Sequence, residues 1–332
     1  MTTIYRESDV TPAVKEFLGG LKVAVVGFGN QGRSQALNLR DSGAQVVVGN
    51  IKDHYAEKAF SDGFSVLPIS EAAAWADVVM MLVPDEVAVA LFTKEVAPSL
   101  RKGAAVVFAS GYNVGFGALA VPSHLDCLLL APRMIGKGVR ELYQSGVGFF
   151  SFVAVHQDAS GKAKDVLLPL AHGIGTLKKG AVEVTFRMEA ELDLFNEQAF
   201  GPAFGQVLLT SIKTLLDAGY PKEAVLLEIY LSGEFGYVCK HMAEVGLIKQ
   251  LEDHSPASQY GAISRGIRFL GMKVAEPMKK VLENIRSGDF AKEWAKENRF
   301  GRLRYRFLRF FAVRIPVGKV ERDVRTSLGL PT

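Results

Sequence analysis

Two sets of residues in this chain have the types and spacing to do chemistry. The first is Gly27-Phe28-Gly29-Asn30-Gln31-Gly32, a Gly-x-Gly-x-x-Gly run that follows the apolar stretch Val23-Ala-Val-Val26 without a break. Gly27 permits a sharp turn, Gly29 lets backbone N–H groups come close to a pyrophosphate, and Gly32 lets the following segment pack near the strand. Arg33 to Gly43 reads as a helix, and its N-terminus offers free N–H groups and a positive dipole end to phosphate. Gln45-Val-Val-Val-Gly49 is a second strand. Strand, turn, helix and strand within about thirty residues is the context that lifts the three glycines above an ordinary turn and predicts a dinucleotide site.

The second set is acidic. Glu189, Glu191, Asp193 and Glu197 fall in one helical segment, and Asp193 and Glu197, four apart, share a face. Like charges at that spacing repel, and the neighbours Leu192, Leu194, Phe195, Ala199 and Phe200 are apolar. A hard cation such as Mg²⁺ would supply the missing counter-charge. A solvated acidic face at a helix N-terminus accounts for the same pattern. Glu228 stands alone in Leu226-Leu-Glu228-Ile-Tyr230, with Glu234 six positions on. By itself Glu228 reads as a hydrogen-bonded or edge acid.

The elements that must position these residues can be read in outline. Phe64–Pro68, Asp77–Val83, Ala104–Phe108, Leu125–Leu130 and Phe149–Val155 are strand-like, and helices are predicted at Ser70–Trp75, with Ser70 as cap, and at Val87–Leu100. Alternating strands and helices predict an α/β fold with a doubly wound parallel sheet. Ligands bind beyond the carboxyl ends of such strands, which gathers Gly27–Gly32, Pro84-Asp85-Glu86, Ser110–Asn113 and Pro132–Gly138 around one cleft. From residue 184 the strands stop. Helices are predicted at Met188–Ala218, Pro221–Glu244, Arg265–Ser287 and Phe290–Asn298. The expected division is a dinucleotide-binding Rossmann-type domain over 1–183 and an all-helical domain over 184–332 for metal, substrate and dimerisation. Phe200 to Leu216 is apolar on nearly all sides, which predicts burial in a bundle or subunit interface.

The 332 residues carry a net charge of +4, too mild to imply a nucleic acid partner. Arginines alternate with aromatics over 299–314, a pattern that reads as packing against a partner subunit or the core rather than as an RNA or membrane contact. Cys127 and Cys239 lack metal spacing and read as reduced thiols of a cytoplasmic protein. The first twenty residues carry no signal-peptide pattern, and no apolar run is long enough to span a membrane.

Taken together these segments resemble the ketol-acid reductoisomerase (acetohydroxy acid isomeroreductase) family of branched-chain amino acid synthesis. The resemblance covers nearly the whole chain. Gly27-Phe-Gly-Asn-Gln-Gly32 with Ala36–Gly43 is similar to its nucleotide loop and helix, and Pro84-Asp85-Glu86 to its Pro-Asp-Glu turn. Gln157-Asp-Ala-Ser-Gly161 is close to a family signature, Glu191-Leu-Asp193-Leu-Phe-Asn-Glu197-Gln198 resembles the metal motif, and Ala262-Ile-Ser264 resembles the substrate-contacting serine segment. The resemblance implies NADPH or NADH and two Mg²⁺ ions. It implies an alkyl shift in a 2-hydroxy-3-keto acid, then hydride delivery to the resulting ketone. It assigns Asp193 to both ions, Glu197 to one, Glu228 to metal, its water or substrate, and Ser264 to the substrate carboxylate. A homodimer or larger homo-oligomer is expected, with no nucleic acid and no membrane partner.

Three positions depart from the family pattern: Ser110 in place of a histidine, Arg133 in place of a lysine, and Ser232 in place of a glutamate. Ser110 and Arg133 remain catalytic candidates, and Ser110 also a cofactor contact. Glu234 is a candidate replacement ligand, although six residues on one helix turn it about 600° from Glu228. Gly27, Phe28, Gly29, Asn30, Gln31, Gly32, Pro84 and Asp85 are the cofactor candidates, joined by Lys52 and Asp53 after the second strand. Lys52 suits a 2′-phosphate, whereas Asp53 suits a free ribose hydroxyl, and the balance leans towards NADH or dual use. Two rival readings use the same scaffold: a reductase of a 2-keto acid or imine without the alkyl shift, and a cofactor-binding protein without activity.

Overall fold

A computed structural model describes residues 2–312 and 316–331 of the chain. It resolves into two compact units, Met1–Asp193 and Leu194–Thr332.

The first unit is built on a nine-stranded sheet. Its strands are β1 (Ile4–Tyr5), β2 (Lys22–Val26), β3 (Gln45–Gly49), β4 (Ser65–Leu67), β5 (Val78–Met81), β6 (Ala105–Phe108), β7 (Asp126–Pro132), β8 (Phe150–Gln157) and β9 (Gly180–Glu183), in the order β1-β9-β8-β7-β6-β5-β2-β3-β4. β2 to β7 pair in parallel, as predicted. The β7–β8 and β1–β9 pairs are antiparallel, so the sheet is mixed rather than wholly parallel. β8 follows β7 through a short helix, Gly136–Gln144, that returns the chain without a full crossover.

Alternation along β2 explains why both faces are covered. Val23 and Val25 join one core with Phe28, Leu39, Val107 and Leu170, while Ala24 and Val26 join the other with Val79, Met81, Phe92 and Phe108. A strand apolar on both sides is what a sheet layered by helices requires. From β2 the chain runs outward through β3 and β4, then returns to β5 on the other side of β2. The carboxyl ends of β2 and β5 therefore flank the point where strand order reverses, the place where such sheets bind ligands.

Several local expectations are corrected. The helix Ile69–Trp75 is capped from Pro68, with Ser70 already inside its first turn. The helix expected over 87–100 is an α-helix at Asp85–Leu91, a π turn at Phe92–Val96 and a 3-10 turn at Ala97–Ser99.

The second unit is helical throughout its described residues, with a small core of Ile212, Val225, Leu226 and Val324. The segment expected at 188–218 is helical, but Asn196–Phe200 forms a π turn ahead of Gly201–Asp217. The helix expected at 221–244 is interrupted: a π turn at Leu227–Leu231 gives way at Gly233, in the left-handed region at φ +86°, to Glu234–Val245. The helix expected at 265–287 is two helices, Pro256–Gly266 and Ala275–Arg286, separated where Gly271 has φ +83°. Of the two expectations for Phe200–Leu216, a bundle or a subunit interface, burial within this chain's own bundle is not seen: Phe200 is 55% exposed and only Ile212 of that stretch is fully buried. The arginine–aromatic segment forms the helix Leu303–Ala312, whose Phe307, Phe310 and Phe311 are exposed and so do not belong to this chain's core; residues 313 and 314 lie outside the described residues. No helix among the described residues is long and apolar enough to cross a membrane.

The helix after the glycine run is tied to its neighbour by charge. Arg33 Nε donates to Asp62 Oδ2 at 2.6 Å, Lys58 reaches Asp62 Oδ1 at 3.1 Å, and the Asp62 side chain is largely buried. The Arg33 guanidinium holds the Asp62 carboxyl below its ordinary value, against a smaller opposing effect of burial. An acid depressed in the folded state stabilises fully above its unfolded pKa, about 3.9, and loses that contribution as pH falls through the folded value. Asp62→Asn is therefore expected to lower unfolding stability at pH 6 by about 1 kcal/mol, after discounting for the half-exposed arginine. The difference should narrow below about pH 3.5. Urea unfolding of both proteins at the two pH values checks this; a gap that stays constant would show that Asp62 acts through packing alone.

Candidate active site

The glycine run leaves β2 as a turn that only glycine can make. Gly27 has φ +92°, and a Cβ there would meet the Val83 side chain at 2.7 Å. A Cβ on Gly32 would lie 2.1 Å from the Gly27 carbonyl oxygen. Gly29 is the N-cap residue of the helix Asn30–Asp41, and nothing approaches its Cβ position within 4 Å. The N-cap end of that helix thus opens onto free space at Gly29, an arrangement that can receive a phosphate. Gln31 Nε2 donates to the Met134 carbonyl at 2.8 Å, and Gly136 packs where a Cβ would be 2.1 Å from the Asn30 carbonyl oxygen. The Phe28 ring is buried against Phe64, centroids 5.6 Å apart, so what Phe28 offers a cofactor is its backbone.

Past β3, Lys52 is exposed and Asp53 is the N-cap of the helix His54–Ser61. Asp53 Oδ1 accepts from the N–H groups of Tyr55 and Ala56 at 2.9 and 3.1 Å and from Asn50 Nδ2 at 2.8 Å. Its charge stays at the loop, but one oxygen already has a structural task.

Pro84 caps the helix that Asp85 begins. Ser110 Oγ donates to Asp85 Oδ2 at 3.2 Å, and Asn113 Nδ2 donates to Asp85 Oδ1 at 3.1 Å and to its carbonyl at 3.0 Å. Asp85 thereby ties the loop after β5 to the loop after β6. Tyr112 lies beside it, its phenol pushed up to about 12 by burial and then by the charges of Asp85 and Glu86.

The central feature is a carboxylate that sequence reasoning passed over. Glu189 is 2% exposed. Its Oε2 accepts from the Gly111 N–H at 2.6 Å, and its Oε1 lies 3.2 Å from Arg133 Nη1. The same Nη1 lies 3.2 Å from Asp193 Oδ1. Arg133 stacks over the Phe152 ring at 5.0 Å, and its backbone N–H donates to the Phe150 carbonyl at 2.8 Å. Burial raises the Glu189 carboxyl to about 7, and the Gly111 N–H and the Arg133 charge pull it back. The available signal was position: Glu189 is four residues before Asp193, one turn back on the same face of Phe186–Phe195.

The first unit therefore gathers Asp85, Ser110, Arg133, Glu189 and Asp193, linked through Gly111, at the carboxyl ends of β5, β6 and β7. The other predicted residues lie in the second unit. Glu197 is on the π turn Asn196–Phe200 and Glu228 on the π turn Leu227–Leu231, both exposed. Glu234 opens the next helix, so the angular argument against it assumed a continuous helix that Gly233 interrupts. Ser264 Oγ donates to the Tyr260 carbonyl at 2.5 Å and accepts from Arg265 at 2.8 Å. Among the described residues, no three His, Cys, Asp or Glu side chains converge as a metal would need. The Gln157–Gly161 segment is structural here: Gln157 donates to the carbonyls of Pro122 and Leu125, and the Ala159 and Ser160 N–H groups bind buried Asp126.

Comparison with known proteins covers almost all of this chain. The family model for the acetohydroxy acid isomeroreductase NADPH-binding domain matches residues 17–180, and that for the ketol-acid reductoisomerase C-terminal domain matches 186–329. The ketol-acid reductoisomerase (NADP(+)) of Methanopyrus kandleri is 40% identical over 99% of each chain. A relative from Saccharolobus solfataricus is 39% identical over 96% of this chain and 97% of its own. The structure of an NADH-preferring ketol-acid reductoisomerase from an uncultured archean superposes with a TM-score of 0.89, at 33% identity and 98% coverage of both chains.

Gly111 tests how the cluster is built. A Cβ there would lie 2.1 Å from the Phe186 carbonyl oxygen and 2.8 Å from Glu189 Oε2. Gly111→Ala must push the loop off the helix start, at a cost of about 1–3 kcal/mol. Thermal unfolding should show a midpoint lower by several degrees. An unchanged midpoint would mean that loop and helix are not in this contact.

Proposed function

This chain belongs to the ketol-acid reductoisomerase family, a family of NAD(P)H-dependent oxidoreductases, and from that premise we propose that it converts 2-acetolactate-type acids to 2,3-dihydroxy acids. In the first step the alkyl group moves from C2 to C3, the C2 hydroxyl loses its proton and becomes a ketone, and the C3 carbonyl becomes a hydroxyl. In the second step a hydride from the nicotinamide and a proton reduce the C2 ketone. The observation that carries the proposal is the charged cluster of Glu189, Arg133 and Asp193 at the same sheet end as the Gly27–Gly32 turn.

Asp193 suits a hard cation: it is an oxygen donor, its side chain is 46% exposed, and it is held from one side by Arg133. We assign Mg²⁺ ligation to Asp193 and, on the resemblance, to Glu197 and Glu228, with Glu234 as the substitute for the acid missing at Ser232. Such ions, when bound, polarise carbonyl and hydroxyl oxygens together. The chain's own residues do the rest. The N–H groups at Gly29–Gln31 bind the pyrophosphate, Asp85 and Ser110 hold the loops on which the nicotinamide half rests, and Ser264 orients the substrate carboxylate. Glu189 holds Arg133, which in turn holds Asp193.

We assign the work of cofactor binding to residues 1–183 and that of metal, substrate and subunit binding to 184–332. Exposed apolar side chains such as Tyr260, Ile263, Phe269 and Leu270 support a homodimer or larger homo-oligomer. The likeness to a biosynthetic enzyme family supports a cytoplasmic enzyme.

The test follows nicotinamide oxidation with 2-acetolactate and, separately, with 3-hydroxy-3-methyl-2-oxobutanoate, each with and without Mg²⁺. Mg²⁺-dependent turnover of both is expected, and Asp193→Asn should lower turnover of 2-acetolactate by at least a hundredfold while the Kd for the nucleotide stays within about twofold. Turnover of the second acid alone would instead favour the reductase without the alkyl shift.

Cofactor choice has its own test. Asp53 places a negative charge at the loop, and the NADH-preferring relative supports a leaning to NADH or dual use. Asp53→Ser keeps a capping oxygen and removes the charge. The kcat/KM ratio should move towards NADPH by about fivefold or more, the ~1 kcal/mol effect of one charge at about 4 Å in a water-like dielectric. A constant ratio, or a move towards NADH, would place Asp53 away from the ribose.

A further inference from the structure

We propose that the Arg133 guanidinium is a resident cation on Asp193, and that a divalent ion must compete with it for Asp193 Oδ1. The inference rests on the reading of Asp193 as a metal ligand. A single nitrogen, Nη1, stands 3.2 Å from both Glu189 Oε1 and Asp193 Oδ1, so one donor serves two acids. The rest of the guanidinium is not free to retreat. Its Cζ lies over the Phe152 ring, 5.0 Å from the centroid, and its Nε is buried without a hydrogen-bond partner. The backbone of Arg133 is fixed by its bond to the Phe150 carbonyl. Glu189, buried at 2% exposure, keeps a lasting claim on the charge because no water can replace it.

An arginine in this place differs from a lysine. The guanidinium stays charged at every working pH, is planar, and stacks; an ammonium is a compact, strongly hydrated point charge on a flexible stem that can swing away. The side chain that satisfies Glu189 therefore also competes at Asp193. Divalent ions load against a built-in rival, and an ion that takes Oδ1 must free the guanidinium from it. Binding linkage makes the effect reciprocal: whatever Arg133 costs the ion, the ion costs the Arg133–Asp193 contact.

The test is Mn²⁺ binding to the full chain, followed by electron paramagnetic resonance of the free ion, for the native protein, Arg133→Lys and Arg133→Gln. Affinity is expected to rise at least tenfold in Arg133→Gln, with Arg133→Lys between the two, and adding Asp193→Asn should abolish the gain. If Arg133→Gln fails to fold because Glu189 is stranded, Arg133→Gln with Glu189→Gln removes both charges. A second readout needs no variant: the rate at which phenylglyoxal modifies Arg133, followed by peptide mass spectrometry, should rise at least threefold with saturating Mg²⁺. Equal Mn²⁺ affinity in all variants, or protection of Arg133 by Mg²⁺, would overturn the proposal and leave the metal assignment standing. Absence of Mn²⁺ binding at millimolar concentration in every variant would overturn both.

Discussion

A carboxylate withdrawn from water must have its charge answered by the protein, and in this chain Glu189 sets that condition for everything around it. One oxygen takes the Gly111 N–H at 2.6 Å and the other faces Arg133 at 3.2 Å. Removing one partner of such a buried pair typically costs about 3–5 kcal/mol, because the other charge remains without compensation. The arrangement therefore dictates what its neighbours can be. Residue 111 must lack a side chain, since the Phe186 carbonyl and Glu189 occupy that space. Phe186 must anchor the helix start, which it does through edge contacts with Phe108 and His156 at 6.2 and 5.3 Å. With the helix start pinned, Asp193 one turn beyond Glu189 is presented towards the same arginine.

Backbone approach does for the nucleotide loop what charge does for the acid cluster. Gly32 lies on the Gly27 carbonyl and Gly136 on the Asn30 carbonyl, each so close that a Cβ would stand 2.1 Å away. The turn after β2 is thus gripped by its own helix and by the helix after β7. An anion seat made of N–H groups needs this rigidity, because its donors cannot be re-aimed by rotating a side chain. Gly29, with nothing near it, is the exception that leaves the seat open.

How much of this could be read from the chain depended on whether the signal was local. The strand–turn–helix of 23–43 carried its own period and punctuation, so its elements were legible, whereas the reversal of strand order beside β2 needed the sheet itself. The antiparallel turn of β7 into β8 was not, because Leu125–Leu130 and Phe149–Val155 read as buried strands whichever way they run. Glu189 was visible as a letter and invisible as a site: its burial and its bond to Gly111 join residues 78 positions apart. Asp53 carried two meanings, and its role as a helix cap needed the backbone to decide. Helix continuity failed at Gly233 and Gly271, where apolar periodicity ran on across a left-handed residue.

The π turns at 196–200 and 227–231 have a further consequence. A π turn closes i→i+5 bonds, and so amounts to an α-helix that has absorbed one additional residue. One residue is about 100° of helical rotation. Glu197 and Glu228 each sit on such a turn, so the direction each acid faces is set by chain length as much as by residue type. In evolutionary terms, a single-codon deletion within either turn would keep every acidic letter and still aim the downstream side chains elsewhere. Relatives that agree with this chain residue by residue therefore share its geometry only where they also share these insertions.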